Sequence, residues 1–210
     1  MLILVISIAA VMCAFVCIRA KYTKNKVQLF IFKPLTTSLI IVLAIVSDAG
    51  SFGPYKSFII GALLFCLMGD VFLILPNKFL QGLISFFISQ ALFSFAFLYL
   101  GKTVHWWLIL IFSMMACLLY LILSPYLGKM RIPVLLYMIV ISFMAWRAWE
   151  NLSLSKSWGT VLVAAGTILF VISDANLAFN KFRKSYKSAE AIILSTYYLA
   201  IWMFSFSLHF

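Results

Sequence analysis

Eight apolar runs, each long enough to cross a hydrocarbon core about 30 Å thick as a helix, follow one another along this 210-residue chain. In lipid, only helices and closed barrels satisfy their own backbone polar groups. Hydrophobic residues make up 66% of the chain and charged residues 10%, which excludes an ordinary soluble domain. We therefore predict an all-α, polytopic membrane helix bundle in which residues 1–210 form a single transmembrane domain. The runs cover about residues 1–18, 29–47, 57–76, 79–100, 104–124, 132–149, 158–179 and 189–208.

Basic residues alternate between the connections that join these runs. The chain has 16 Lys and Arg, and the even connections hold four of them: Lys56, Lys102, Arg147 and Lys156. The other twelve lie in or beside the odd connections, so the positive-inside rule places the odd connections in the cytoplasm and both termini outside. This distribution explains the net charge of +11 without a nucleic-acid partner. We expect membrane lipids as partners and a bacterial inner (cell) membrane as the location; the oligomeric state is left open.

Two aspartates interrupt the apolar runs. Asp70 lies in the third run and Asp174 in the seventh, each after a small residue, Gly69 or Ser173. A charged side chain at the centre of a membrane helix costs about 2.5–3.5 kcal/mol on insertion scales, so such a residue indicates a functional site. Both helices run toward the cytoplasm in the predicted topology, and similar spacings to the next lysine place both carboxylates at nearly the same depth. We predict a shared catalytic site.

Two carboxylates that lie close together in low dielectric do not both ionise cheaply, so they share a proton and provide an acid and a base together. This arrangement suits hydrolysis of a bond that must be protonated to break, such as an enol ether, an acetal or glycosidic link, or a peptide. Proton or ion transport, or a purely structural role in the bundle, are the alternatives.

Other kinds of catalytic site lack the necessary side chains. The two histidines, His105 and His209, lie outside the predicted bundle interior, so we predict no metal centre and no cofactor. No Ser or Cys has a His within reach, which disfavours a nucleophilic triad. The cysteines lie in apolar runs, where thiols pack as small hydrophobes.

Several other polar residues fall in or beside the predicted helices. Pro34 is typical of a helix's first turn, so Lys33 is placed at the cytoplasmic mouth of the second helix, where it either extends to the interface or binds a substrate anion. Gln90 is in mid-membrane and needs a hydrogen-bond partner on a neighbouring helix. The remaining substrate-binding candidates are Tyr137, Asn176, Tyr197 and Tyr198.

Five short motifs together resemble the YhhN-like family of lysoplasmalogenases, over essentially the whole chain. They are residues 33–36 (KPLT), 67–73 (LMGDVFL), 82–86 (GLISF), 169–174 (LFVISD) and 196–198 (TYY). The resemblance implies hydrolysis of the vinyl ether bond of a lysophospholipid, a lysoplasmalogen, to a fatty aldehyde and a glycerophospho-ethanolamine or -choline. It also implies that Asp70 and Asp174 are the catalytic pair, with Lys33 as a partner for the lipid phosphate.

The chain departs from the family pattern at two positions. Gln90 stands where the family is expected to have a His, and Ile201 where a Gln or His often follows the helix 8 tyrosines. A glutamine hydrogen-bonds but does not titrate, which disfavours a proton-transfer role for position 90.

Two other functions compete with lipid hydrolysis. An intramembrane aspartyl protease also uses two membrane aspartates, but its Gly-x-Gly-Asp and Tyr-Asp patterns are absent: Leu67 and Ser173 occupy the diagnostic positions. A non-enzymatic proton-coupled transporter or lysolipid-binding protein is the alternative from a different class.

Overall fold

The computed structural model describes residues 1–47, 53–101 and 105–210, which contain eight long α-helices and no β-strand. Each helix is long and apolar enough to cross a membrane, which confirms the all-α, multi-pass architecture. Lys102, counted above with the even connections, lies outside the described residues. The helices are α1 (Leu2–Tyr22), α2 (Lys26–Val46), α3 (Pro54–Ile74), α4 (Phe79–Leu100), α5 (Trp106–Leu123), α6 (Arg131–Leu154), α7 (Trp158–Ala178) and α8 (Ala189–Phe206).

Local sequence explains where several of the helices begin. Asn25 precedes α2 and its side chain accepts a hydrogen bond from the backbone N–H of Gln28 at 3.1 Å. Ser157 caps α7 in the same way, and Pro54 is the first residue of α3. The connections are short, so consecutive helices run in opposite directions. The α1–α2, α3–α4, α5–α6 and α7–α8 connections therefore meet at one end of the bundle, which we call the basic end.

Helix α2 begins earlier than the sequence predicts. The interpretation of Pro34 as a first-turn residue is wrong, because Asn25 starts the helix at Lys26 and leaves Pro34 in the helix interior. Membrane helices tolerate an internal proline when neighbouring groups satisfy the freed backbone carbonyl. The consequence is that Lys33 lies inside the bundle, with only 6% of its surface exposed, and not at the mouth of the helix.

Helix α8 is the most buried helix and packs against α1, α2, α3 and α7. An aromatic cluster fills the space beside it: Phe93 and Phe97 from α4, Phe170 from α7 and Phe204 from α8 are all fully buried. The rings of Phe93 and Phe204 are 4.7 Å apart at their centroids. These rings fix the positions of α4, α7 and α8, the three helices that carry Gln90, Asp174 and Tyr197.

Two glycines permit close approach within helix pairs. A Cβ atom on Gly69 of α3 would lie 2.6 Å from the ring of Phe86 in α4, and a Cβ on Gly166 of α7 would lie 2.8 Å from the ring of Phe204 in α8. No real Cβ is found at such distances, so neither helix pair could pack this closely with a larger residue.

Helices α1 and α5 lie on the outside of the bundle, where exposed apolar side chains such as Val11, Phe15, Leu110 and Met114 face the lipid. Trp106 and Trp158 begin α5 and α7 at the end opposite the basic end and are 73% and 72% exposed. Exposed tryptophans at helix ends are typical of the membrane interface.

Candidate active site

Asp70 is enclosed by side chains from two neighbouring helices, α2 and α8. Its Oδ2 accepts hydrogen bonds from Thr37 Oγ1 of α2 at 2.6 Å and from Tyr197 Oη of α8 at 2.9 Å. Lys33 Nζ lies 3.2 Å from Oδ1 and 3.4 Å from the Asp70 backbone carbonyl oxygen. The residue is 1% exposed. Both carboxylate oxygens therefore have partners, and a buried cation balances the charge.

The contact with Asp70 gives Lys33 a different position and role from those predicted. A lysine predicted to stand open at the mouth of a helix is instead a buried counter-ion, and its ammonium is engaged by the carboxylate and the carbonyl of one residue. In this arrangement Lys33 stabilises the charge of Asp70.

Asp174 has a different set of partners. Its Oδ2 accepts hydrogen bonds from Tyr137 Oη of α6 at 2.5 Å and from Gln90 Nε2 of α4 at 2.9 Å. Gln90 Nε2 is also 2.6 Å from the Tyr137 hydroxyl, so the three side chains form a closed triangle. Gln90 has thus found partners on neighbouring helices, as its mid-membrane position requires. Among the described residues, no group donates a hydrogen bond to Asp174 Oδ1, and no Lys or Arg pairs with this carboxylate.

Asp174 lines an apolar cavity toward the basic end of the bundle. Side chains from α3 to α7 and from the π-helical turn Phe179–Arg183 form its walls, and Asp174 and Tyr137 are the polar residues among them. The volume open to a water-sized sphere is about 60 Å³, which exceeds the ~15 Å³ that one water needs. Asp174, whose Oδ1 accepts no hydrogen bond from the described residues, therefore lines an apolar space that admits water.

Phe86 packs beside both networks. Its ring lines the cavity of Asp174, lies directly over Gly69, and packs edge-on against the ring of Tyr197 at a centroid distance of 5.8 Å. Within the described part of the chain, no side chain donates a hydrogen bond to both carboxylates. The site therefore consists of two hydrogen-bond networks that have the Phe86 ring as a common neighbour.

The last two predicted substrate-binding residues donate no hydrogen bond to either carboxylate. Tyr198 points toward α1, where its hydroxyl is 3.5 Å from Cys17 Sγ. Asn176 is at the basic end of α7, where its amide oxygen accepts a hydrogen bond from Tyr186. The structure therefore groups Gln90 and Tyr137 with Asp174, and Lys33 and Tyr197 with Asp70.

No group of three or more His, Cys, Asp or Glu side chains that could hold a metal ion occurs among the described residues.

Comparison with known families gives a match over most of the chain. The model of the YhhN family matches residues 28–208, a span that includes both aspartates and every side chain that contacts them. The chain belongs to the YhhN family. No solved structure matches the chain.

Relatives with curated names divide into two groups. Lysoplasmalogenase TMEM86A of Homo sapiens is 32% identical over 153 residues, which cover 70% of this chain and 63% of that protein. Lysoplasmalogenase TMEM86B of Sus scrofa is 31% identical over 172 residues, 81% of this chain and 70% of the relative. The uncharacterized membrane protein YhhN of Escherichia coli O6:H1 is 26% identical over 193 residues, 91% of this chain and 92% of that protein. The chain thus spans less than two thirds of the length of the human TMEM86A protein.

Sequence reasoning missed Thr37, the donor with the shortest hydrogen bond to Asp70. Thr37 directly follows the KPLT motif and lies four residues after Lys33, which places both side chains on one face of α2. That spacing was the available signal.

Glu150 was also missed. It is a fully buried acid near the end of α6, where its carboxylate accepts from the backbone N–H of His105 and from Trp146 Nε1 and lies 2.6 Å from His105 Nδ1. It lies toward the end of the bundle opposite the basic end, and none of its described partners belongs to the Asp70 or Asp174 network.

Proposed function

We propose that the protein is a membrane-embedded hydrolase that cleaves the vinyl ether bond of lysoplasmalogens, with ethanolamine or choline headgroups. The observation that carries the proposal is that Asp174 lines an apolar cavity while its Oδ1 accepts no hydrogen bond from the described residues. The names of the TMEM86A and TMEM86B relatives support the same substrate class. The proposal also includes a single transmembrane domain, a bacterial inner membrane, and a cytoplasmic basic end with both termini outside.

The reaction requires an acid and a water molecule. A carboxylic acid protonates the β-carbon of the vinyl ether, R–CH=CH–O–R′, and the positive charge is shared between the α-carbon and the ether oxygen. Water adds to the α-carbon and loses a proton to the carboxylate, giving a hemiacetal. The hemiacetal breaks its C–O bond to R′, releasing R–CH2–CHO and HO–R′. One carboxyl group can serve as acid in the first step and base in the second.

Asp174 is the group that we assign to this role. Tyr137 and Gln90 hold Oδ2 and fix the carboxyl plane, which leaves Oδ1 to carry the proton to the substrate carbon. The apolar walls of the cavity suit an alkenyl chain, and they exclude most of the water that would compete for the proton. The alkenyl chain of the substrate is larger than the cavity. Its entry therefore moves flexible wall residues such as Met138 and Leu119.

Asp70 is assigned a positioning role. Its carboxylate already has three partners and is 1% exposed. Through Tyr197 it fixes one side of Phe86, the ring that forms a wall of the Asp174 cavity. In this assignment Asp174 acts on the substrate, and Asp70 holds the cavity wall beside it in place.

The test is product formation by the purified protein in detergent. Wild type is given an alkenyl lysophosphatidylethanolamine, its acyl counterpart and its saturated alkyl counterpart, and fatty aldehyde is measured by mass spectrometry. We expect aldehyde from the alkenyl lipid alone. A folded wild-type protein that releases no aldehyde contradicts the proposal. Flux of protons or lysolipid across liposomes without any cleavage would favour the transporter.

A further inference from the structure

Two aromatic rings narrow the cavity at the basic end. Phe79, the first residue of α4, and Phe182, in the π-helical turn after α7, both line the cavity. Their ring centroids are 5.6 Å apart and their planes are nearly perpendicular. A ligand that enters the cavity from the basic end therefore reaches Asp174 by passing between or beside these two rings.

Two cations of the same turn lie against aromatic rings at this end. Lys181 Nζ is 5.1 Å from the centroid of Phe79. Arg183 Cζ is 5.6 Å from the centroid of Phe179 and 5.8 Å from that of Tyr126. Cation–π contacts of this kind hold flexible basic side chains in place and keep their charges close to apolar surface. The two charges thus flank Phe182, the residue of the same turn that lines the cavity, and we call this position the rim.

Among residues 1–47, 53–101 and 105–210, neither Lys181 nor Arg183 forms an ion pair with an acid, whereas Lys33 pairs with Asp70. Lys33, the cation that the sequence suggests for a substrate anion, is therefore already engaged. Within the same residues, Lys181 and Arg183 keep positive charges without an acidic partner on the turn that borders the apolar cavity.

We propose that Lys181 and Arg183 bind the phosphate of a lysophospholipid whose hydrocarbon chain occupies the cavity. This inference rests on the proposed function and deepens it. A phosphate takes hydrogen bonds from a lysine ammonium and from an arginine fork, and the apolar walls accept the chain of the same molecule. Phosphate at the rim and chain in the cavity give the substrate one orientation.

The spacing along α7 agrees with this orientation. Lys181 follows Asp174 by seven residues, which is a rise of about 10 Å. In a lysoplasmalogen, five covalent bonds of about 1.5 Å each join phosphorus to the ether oxygen, an extended reach of about 6 Å at normal bond angles. The flexible lysine side chain covers the remainder. A phosphate held at the rim therefore brings the vinyl ether to the level of Asp174.

The test is a binding measurement that needs no turnover. The ligands are a saturated alkyl lysophosphatidylethanolamine and the matching alkylglycerol, which lacks the phosphate. The proteins are wild type, the Lys181→Gln/Arg183→Gln double variant, and a control pair, Arg19→Gln/Lys26→Gln, which removes one arginine and one lysine exposed at the same end but on α1 and α2.

We expect the double variant to bind the phospholipid at least tenfold more weakly and the alkylglycerol as wild type does, while the control pair leaves both dissociation constants unchanged. Equal weakening for both ligands, equal weakening by the control pair, or no weakening overturns the proposal. The outcome is independent of cleavage, so failure of the headgroup site and failure of the hydrolase assignment are distinguishable.

Discussion

The two membrane aspartates occupy similar sequence contexts and very different surroundings. Asp70 has a hydroxyl from α2, a hydroxyl from α8 and a lysine, and does not line the Asp174 cavity. Asp174 has a hydroxyl and an amide on one oxygen, no donor or cation among the described residues on the other, and lines the cavity. The Asp70 carboxylate has partners on both oxygens, and the Asp174 carboxylate has partners on one. Similar positions in the apolar runs therefore do not imply the same chemistry.

The difference follows from what each carboxylate needs. A buried charge costs several kcal/mol unless a partner compensates it, and Lys33 supplies that compensation to Asp70 alone. An acid–base group must instead keep one oxygen free for substrate or water. The comparison therefore predicts that substitutions around Asp70 act mainly on stability and substitutions around Asp174 act mainly on turnover.

The largest expected effect is a difference in kcat between variants of the two aspartates. Asp174→Asn keeps an acceptor for Tyr137 but removes the acid, so kcat for aldehyde release should fall by about 10²–10⁴-fold with the fold intact. Asp70→Asn should retain more turnover per folded molecule. Glu190→Gln, a carboxyl-to-amide change at a surface ion pair, is the matched control. Equal losses in both aspartate variants at equal folded fraction would break the comparison.

The next effect is on stability. Lys33→Met leaves Asp70 buried without a cation, which should lower the free energy of unfolding by about 3–5 kcal/mol. Lys33→Met/Asp70→Leu removes both charges and should recover much of that loss. Chemical denaturation in detergent micelles measures the two single variants, Lys33→Met and Asp70→Leu, and the double variant. If the loss of unfolding free energy in the double variant equals the sum of the losses in the two single variants, the pair is not a coupled unit.

Two tyrosines make a matched pair of smaller perturbations. Tyr137→Phe removes a donor from Asp174 and should lower kcat about tenfold or more, since a hydrogen bond to a charged group contributes about 1.5–3 kcal/mol. Tyr197→Phe removes a donor from Asp70 and should lower the free energy of unfolding with a smaller effect on kcat. Measuring kcat and unfolding on both variants sharpens the comparison, and the reverse assignment would refute it.

The smallest expected effect concerns the ring of Phe86, which packs beside both networks. Gly69→Ala forces Phe86 to move and should cost about 1 kcal/mol or more. Gly61→Ala is the control on the same helix, because its Cβ would lie 3.6 Å from Leu92, an ordinary contact. Thermal unfolding compares the two. If Gly69→Ala is as stable as Gly61→Ala, the close contact with Phe86 does not constrain the site.

Part of this architecture could be predicted from the sequence. Eight apolar runs determine eight helices because lipid allows few other structures, and the cost of a membrane carboxylate pointed to Asp70 and Asp174. Gln90 needed a partner for the same reason and has one. These predictions depend on single segments and on properties of the solvent, which a sequence contains.

The pairing of side chains between helices could not be predicted in the same way. Lys33 binds Asp70 because α2 begins at Lys26 and turns that lysine inward, and the boundary depends on the Asn25 cap rather than on Pro34. The contact of Phe86 with both networks depends on where its ring packs against Gly69. Such contacts arise from the rotation of each helix about its axis, which spacing along one helix does not determine.

The central claim, that Asp174 is the open carboxyl group and Asp70 the closed one, is tested most directly by labelling with a lipophilic carbodiimide, which reacts with protonated carboxyl groups in apolar surroundings. Mass spectrometry of the labelled protein identifies the modified residue. The account predicts modification at Asp174, loss of aldehyde release in proportion to labelling, and protection by lysophospholipid. Modification at Asp70 with Asp174 unreacted would contradict it.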